Sequence, residues 1–195
     1  MCAVPTDEIY EKYLQKAILE INELADEIAR TAGGARVPVL GSGHPLADVF
    51  LLKRAPQPAE VQEGVAFYGR AGQAILKSLQ RLHVDPMAVY GTNCLKFAEG
   101  DEDESRPFLT RELHIVQPKL IVAMGDPTVE ILNSIDFPLA DPLEPSSAEV
   151  QRFTATVDAI VVPDIDASLD EAPAKTAFWN AFKAVGPWWA ALPPY

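Results

Sequence analysis

The residues that could do chemistry stand directly after four short apolar runs of the sequence. Two cations, Lys53 and Arg54, follow the first run, and an amide, Asn93, with a further cation, Lys96, follows the second. Carboxylates follow the third and fourth runs, at Asp126, Asp164 and Asp166. Such carboxylates can act as general acids and bases or hold a metal ion. The cations, together with Arg70, would form a small basic patch that suits a single nucleotide or another anion better than a long duplex.

The four runs are typical of strands that are buried on both faces of a parallel sheet. They lie at 49–52, 88–90, 120–124 and 160–162. Helical patterns separate them, and this alternation predicts an α/β domain with three layers, α/β/α, around a four-stranded parallel sheet. Ligands of such sheets lie outside the carboxyl ends of the strands, so we expect the polar residues named above to meet at one edge.

The first 36 residues carry the clearest helical pattern. Apolar side chains recur every three or four residues from Ile9 to Ile28, which predicts an amphipathic helix over 7–30. We expect this helix to pack on the core of a single domain formed by 37–195. A helix that binds a partner is the alternative.

Two segments near the end of the chain are less regular. Residues 135–158 are rich in proline and acids and contain a possible hairpin at 150–157. The apolar tail holds the adjacent Trp188 and Trp189, which predict packing on the body of the protein or, as the weaker alternative, on a partner.

Composition limits the classes of function. The 195 residues include 28 acids and 16 bases, a net charge of −12, with 48% hydrophobic residues, so one folded domain is expected. This negative net charge argues against a protein that binds polyphosphates such as nucleic acids through its overall electrostatic field. No apolar run approaches the roughly 18 residues of a membrane span, and no secretory signal is visible. The two cysteines, Cys2 and Cys94, favour a reduced, cytoplasmic setting.

Four collinear motifs resemble the uracil-DNA glycosylase superfamily, in particular its families 4 and 5. They are ADVFLL at 47–52 followed by AP at 55–56, GVAFYGRAGQ at 64–73, VYGTN at 89–93 with Lys96, and RPFL at 106–109 followed by QPKLIVAMG at 117–125. The match covers most of 37–134 in order. The resemblance implies the family's α/β fold and a DNA-repair N-glycosidase that flips a uracil or damaged base out of DNA and cleaves its glycosidic bond.

By this resemblance, Ala55, Pro56, Phe67 and Asn93 would form the base-binding pocket. Phe67 would be the ring on which the base stacks, a contact worth about 1–3 kcal/mol. Asn93 would face the pyrimidine edge, since its side chain offers a donor and an acceptor together. Lys53, Arg70 and Lys96 would be the candidate contacts for phosphate or another anion. DNA, a nucleobase or a nucleotide is therefore the expected ligand.

The sequence departs from the family where catalysis is expected. Lys53 and Arg54 stand in place of the Gly-Glu that precedes Ala-Pro, so a carboxylate is replaced by a cation. Asp164 stands in the segment where the family has His-Pro-Ser, and a carboxylate there would repel the developing anion. The catalytic residues are therefore left unassigned, with Arg54 and Asp164 as altered motif positions.

A further departure concerns the [4Fe–4S] cluster of family 4, which is held by four cysteines. Phe97 and Ser105 stand where the third and fourth cysteines are expected, and Cys94 is three residues away from the family position. We therefore predict no cluster, no metal and no other cofactor. The acidic run at 99–104 is predicted to be a solvated turn, which is unfavourable next to DNA phosphates.

Three hypotheses follow from these observations. The first is a divergent DNA glycosylase that acts on a flipped uracil or damaged base. The second is a non-catalytic member of the same fold that binds a ligand or another protein. The third and weakest is a different hydrolase that uses Asp126, Asp164 and Asp166 as acid–base groups or metal ligands.

Overall fold

The computed structural model describes residues 6–147 and 149–193. The helices are α1 Thr6–Ala32, α2 Pro58–Glu63, α3 Arg70–Arg81, α4 Glu102–Val116, α5 Asp126–Ser134, α6 Ala172–Phe182 and α7 Val185–Ala190. The strands are β1 Ser42–Gly43, β2 Val49–Lys53, β3 Val89–Asn93, β4 Leu120–Met124, β5 Val150–Arg152 and β6 Asp158–Val162. No helix of the described residues is long and apolar enough to pass through a membrane.

The strands form one sheet in the order β1-β3-β2-β4-β6-β5. The four predicted strands are β3, β2, β4 and β6, and each pairs with its neighbour in parallel. Strands β1 and β5 add a short antiparallel strand at each edge of these four. These edge strands have two and three residues and carry no apolar run. The possible hairpin at 150–157 corresponds to β5 and the turn that leads into β6.

Helices cover both faces of the sheet, which confirms the predicted three-layer α/β/α architecture. Alternate residues of β2 enter different cores, as expected for a strand buried on both sides. Phe50 and Leu52 pack against α4 and α5, while Val49 and Leu51 pack against α3, α6 and α7. Trp188 and Trp189 pack against this second core, so the tail folds onto the body as predicted.

Helix α1 lies against α4 at the outside of the first helical layer. Its second half buries Leu24 and Ile28 against Phe97 and Phe108. In the first half, several large apolar side chains are half exposed or more: Ile9, Tyr10, Tyr13 and Leu19. Only part of the apolar stripe that predicted this helix is therefore covered by the rest of the chain.

Candidate functional site: a buried lysine–carboxylate cluster at the strand ends

Strands β2 and β3 bring Lys53 and Asn93 side by side at the carboxyl edge of the sheet. The two residues are register partners, and the preceding partners on the same face are Leu51 and Gly91. Since Leu51 faces the core under α3 and α6, Lys53 and Asn93 point to that side as well. In the sheet, β3 lies on one side of β2 and β4 lies on the other. The carboxyl end of β2 is therefore at the topological switch point of the sheet.

Lys53 does not reach solvent from this position. Its side chain is 1% exposed, and its Nζ donates to Glu60 Oε2 at 2.6 Å, to Asp166 Oδ2 at 2.8 Å and to the Ala55 carbonyl oxygen at 2.9 Å. Nζ also lies 5.8 Å from the centre of the Phe67 ring, within the range of a cation–π contact. We call Lys53, Glu60, Asp166, Asn93 and Phe67 the strand-end cluster.

Glu60 connects the cluster through four donors. Its Oε2 accepts from the Gln57 backbone N–H at 2.6 Å in addition to Lys53, and its Oε1 accepts from the Phe67 backbone N–H at 2.5 Å and from Asn93 Nδ2 at 3.5 Å. The side chain is 1% exposed. Glu60 is the third residue of α2 and bonds back to the residue before the helix, as in a capping box. The Gln-Pro-Ala-Glu sequence at 57–60 is therefore a signal that could have located this carboxylate.

Asn93 is fully buried, and its Oδ1 lacks a hydrogen-bond partner within the described structure. A buried acceptor without a donor costs about 1–3 kcal/mol. The Asn93 amide thus donates to Glu60 through Nδ2, while its acceptor atom Oδ1 has no donor. Such an orphaned atom inside a polar cluster is typical of a position that a ligand or a bound water completes.

The Phe67 ring is fixed by close contact with the backbone of β3. A Cβ on Gly91 would lie 2.8 Å from Phe67 Cδ2, and a Cβ on Gly72 would lie 1.9 Å from the Phe67 carbonyl oxygen. Phe67 itself has a φ of +60°, a conformation that is uncommon for a residue with a side chain. The glycines at these positions therefore allow the loop before α3 to press the ring onto the sheet.

Two cavities border the cluster. One, of about 530 Å³, lies beside α3 and is lined mainly by apolar side chains that include Leu51, Phe67 and Leu76. The other, of about 250 Å³, has a mixed lining in which Glu60, Asp166 and Arg70 are among the polar side chains. Next to these cavities, Lys53 Nζ lies beside the Phe67 ring and Glu60 Oε1 contacts the Asn93 amide.

The structure places the other predicted base contacts at the edge of the cluster. Ala55 is half-buried, and its carbonyl oxygen faces Lys53 Nζ, while the adjacent Pro56 is buried. Phe67 and Asn93 share one partner, since the Phe67 backbone N–H and Asn93 Nδ2 both donate to Glu60 Oε1. The base-binding roles of these four residues stay predictions.

Each of the predicted anion contacts already has a carboxylate partner. Arg70 pairs with Asp170 at 2.6 Å and Lys53 pairs with Glu60, while Lys96 Nζ bonds to Glu112 in the core. The Arg70 guanidinium holds the pKa of the Asp170 carboxyl below its usual value. An external phosphate would have to displace these partners.

The two altered motif positions have local structural roles. Arg54 is partly exposed and pairs with Glu102 at 3.0 Å, so part of the acidic run at 99–104 serves as its counter-charge. Asp164 Oδ1 accepts from the Asp166 backbone N–H at 2.8 Å and thereby shapes the turn that follows β6. This turn delivers Asp166 to Lys53. Burial raises the pKa of Asp166 above its ordinary value, although Lys53 opposes the shift.

A second buried ion pair supports the cluster from the α4 side. Lys96 Nζ donates to Glu112 Oε2, to Thr92 Oγ1 at 2.7 Å and to the Asn93 carbonyl oxygen at 2.8 Å. Glu112 Oε1 also accepts from Tyr90 Oη at 3.0 Å, and burial raises the pKa of Tyr90 well above its usual value. This network fixes the backbone from which the Asn93 side chain projects.

The residues at the expected cluster positions do not fit an iron–sulfur centre. Phe97 is fully buried with the Arg36 guanidinium 4.0 Å above its ring, and the Ser105 hydroxyl accepts from the Lys96 backbone N–H. Among the described residues Cys94 is the one cysteine, and it is buried and forms no disulfide. Cys2 lies outside the described residues. Burial raises the pKa of Cys94 to about 12, so its thiol remains neutral. Within the described parts of the chain, no group of three or more His, Cys, Asp or Glu side chains could hold a metal ion.

Fold and site together define a doubly wound three-layer α/β protein with its polar crevice at the carboxyl ends of the central strands. The family model described as "Uracil DNA glycosylase superfamily" matches residues 40–183. The chain therefore belongs to the uracil-DNA glycosylase superfamily.

Its curated relatives include proteins named "Type-4 uracil-DNA glycosylase" from three archaea. The protein of Archaeoglobus fulgidus is 24% identical over 159 residues, which cover 76% of this chain and 80% of the relative. The protein of Sulfurisphaera tokodaii is 32% identical over 96 residues, 45% of this chain and 44% of the relative. The protein of Pyrobaculum aerophilum is 30% identical over 95 residues, 45% of this chain and 48% of the relative. The match spans about half the length of the latter two proteins.

Proposed function

We propose that this protein is a non-catalytic member of the uracil-DNA glycosylase superfamily, which keeps the fold but acts by binding a ligand or another protein. The observation that carries the proposal is the position of Lys53 and Glu60. Lys53 Nζ lies 5.8 Å from the centre of the Phe67 ring, Glu60 Oε1 accepts from the Asn93 amide at 3.5 Å, and both side chains are 1% exposed, so charged groups occupy the space next to the ring and the amide. A flipped base needs that space to be open.

The groups around this space also lack the chemistry of glycosidic cleavage at the motif positions. Hydrolysis develops negative charge on the leaving base, which donors or cations must stabilise. Asp164 supplies a carboxylate, and its Oδ1 is already used by the Asp166 backbone N–H. Arg54 cannot accept a proton from water, since a guanidinium remains protonated, and it is held by Glu102.

The surface of the chain supports a binding role. The net charge of −12 opposes tight binding of a duplex through phosphates. Helix α1 presents Tyr10, Tyr13 and Leu19 to solvent, and aromatic side chains of this kind are enriched in protein interfaces. A cytoplasmic location is part of the proposal and rests on the low cysteine content of the sequence.

A uracil-release assay tests the proposal. The protein, in excess over an oligonucleotide with one uracil, is incubated and the strand is then cleaved with hot alkali at any abasic site. We expect no more cleavage than in a control oligonucleotide that has thymine in place of uracil. An oligonucleotide with hypoxanthine should also show no more cleavage than this control. Cleavage that depends on uracil or hypoxanthine and disappears in the Asn93→Ala variant would overturn the proposal.

A DNA-repair N-glycosidase is the second candidate, with DNA or a nucleobase as its ligand. The shared contact of Phe67 and Asn93 with Glu60 favours it, together with the unused acceptor Asn93 Oδ1 and relatives that are named uracil-DNA glycosylases. In this case the ion pairs of Lys53 open when a base enters. Both Asn93→Ala and Phe67→Ala would then abolish uracil release, whereas Arg70→Ala would weaken binding at the crevice rim.

A further inference from the structure

The atoms around the Lys53 ammonium form a complete coordination shell for an organic cation. Two carboxylate oxygens and one carbonyl oxygen accept from Nζ at 2.6–2.9 Å. The Phe67 ring lies on another side at 5.8 Å, where its negative face attracts a cation. Carboxylates, a carbonyl and an aromatic face are the groups by which proteins bind ammonium and guanidinium ions.

The balance of donors and acceptors in the strand-end cluster favours the same class of ligand. The backbone N–H groups of Gln57 and Phe67 are used by Glu60. The atom left without a partner is an acceptor, Asn93 Oδ1, on a side chain that is fully buried. A ligand with carbonyl oxygens would therefore meet other acceptors, whereas a ligand with several N–H donors would satisfy them.

Net charge leads to the same conclusion. Glu60 and Asp166 both contact the same Nζ atom, so removal of the Lys53 charge would leave two carboxylates without their shared cation. A buried charge without a partner is strongly destabilising. The space that the Lys53 side chain occupies among Glu60, Asp166, the Ala55 carbonyl and the Phe67 ring, called the hollow below, is thus arranged for a positive charge. Lys53 supplies that charge from within the chain.

We propose that the hollow at the ends of β2 and β3 is an organic-cation site, occupied by the Lys53 ammonium as an internal ligand, and that it selects against neutral pyrimidines. The inference rests on the proposed function in one respect, since it assumes that no base enters the hollow of the unaltered protein. It goes further because it names the chemical class that the hollow accepts, which is alkylammonium or guanidinium.

Chemical rescue of a lysine-free variant tests the inference. In Lys53→Ala the side chain is removed and the carboxylates remain, so the melting temperature is expected to fall. Propylammonium chloride should raise this melting temperature by several degrees in a saturable manner, because a ligand that binds only the folded state stabilises it. Sodium chloride at equal ionic strength and free uracil should leave it unchanged.

Matched controls separate the site from general salt effects. Lys77→Ala removes an exposed lysine of α3 and should show no specific response to propylammonium. Lys53→Met fills the hollow with an uncharged chain of similar length, and should be destabilised without being rescued. If Lys53→Ala does not fold without a ligand, its refolding yield from urea is compared in propylammonium and sodium chloride, and a higher yield in propylammonium is expected.

Two results would overturn the inference: equal effects of propylammonium and sodium on Lys53→Ala, or saturable stabilisation of this variant by uracil. These outcomes are distinct from failure of the proposed function, which is read from uracil release by the unaltered protein. Rescue by propylammonium together with uracil release by the unaltered protein would reject both the non-catalytic role and the selection against pyrimidines.

Discussion

Replacement of Lys96 by Met should destabilise the protein by about 3–5 kcal/mol, because Glu112 would remain as an unpaired charge in the core. The side chains of Lys96 and Glu112 are 0% and 2% exposed, so solvent does not screen the pair. Lys96→Met also removes the donors to Thr92 Oγ1 and to the Asn93 carbonyl oxygen. Glu112→Gln alone should cost less, since Gln keeps an acceptor for Tyr90.

The double variant Lys96→Met/Glu112→Gln makes the test quantitative. With both charges absent, the loss should be smaller than the sum of the two single losses by about 1–3 kcal/mol, the usual range for residues in one network. Free energies of unfolding are measured by urea titration of all four proteins, with Lys77→Ala as an exposed-lysine control that should change stability by less than about 0.5 kcal/mol. A loss below about 1 kcal/mol for Lys96→Met, or additive losses in the cycle, would refute the assignment of Lys96 to a buried pair.

The remaining predictions concern the thiol and the ring of the site. In a Cys2→Ser background, Cys94 should not react with a thiol reagent at pH 8 until the protein unfolds, and rapid labelling of the folded protein would contradict its burial. Because burial raises the pKa of Cys94 to about 12 from 9.0, the folded state keeps a proton that the unfolded state loses above pH 9. Stability should therefore fall as pH rises from 9 to 12, by up to about 1.4 kcal/mol per pH unit, and Cys94→Ala should remove this contribution in urea titrations. Gly91→Ala should destabilise the protein by about 1–3 kcal/mol, because the new methyl group would press on the Phe67 ring. In the control Gly34→Ala the added Cβ meets open space, so the loss of stability should be limited to the strain of the positive φ. Equal losses for the two glycine variants would argue against the ring contact.

The sheet could be predicted from the sequence because its central strands are buried on both faces. Residues 120–124, for example, are fully buried in β4, and a continuous apolar run is the direct signature of that environment. Strands β1 and β5 carry no such signature, since they are short and are added at the edges by pairing with β3 and β6. Local pattern cannot reveal a strand that is defined by its neighbour.

The site was predictable only in part for a related reason. Phe67 and Asn93 stand in recognisable motifs, and both donate to Glu60, which no motif identified. Lys53 at the end of an apolar strand was expected to face an external anion, but it is neutralised by Asp166, which lies 113 positions away in the sequence. The burial of a charge depends on such long-range partners, and these are set by the packing of the whole domain.

The pairing of the crevice cations has a consequence for encounters with nucleic acid. Much of the free energy with which proteins bind polyanions comes from the release of condensed counterions when basic side chains neutralise phosphates. At this crevice Arg54 and Arg70 are already paired with Glu102 and Asp170 of the same chain. A nucleic-acid strand that binds there would displace these carboxylates from the arginines and would release few condensed counterions. Contact there would depend weakly on salt and would be governed by short-range shape rather than by attraction from a distance.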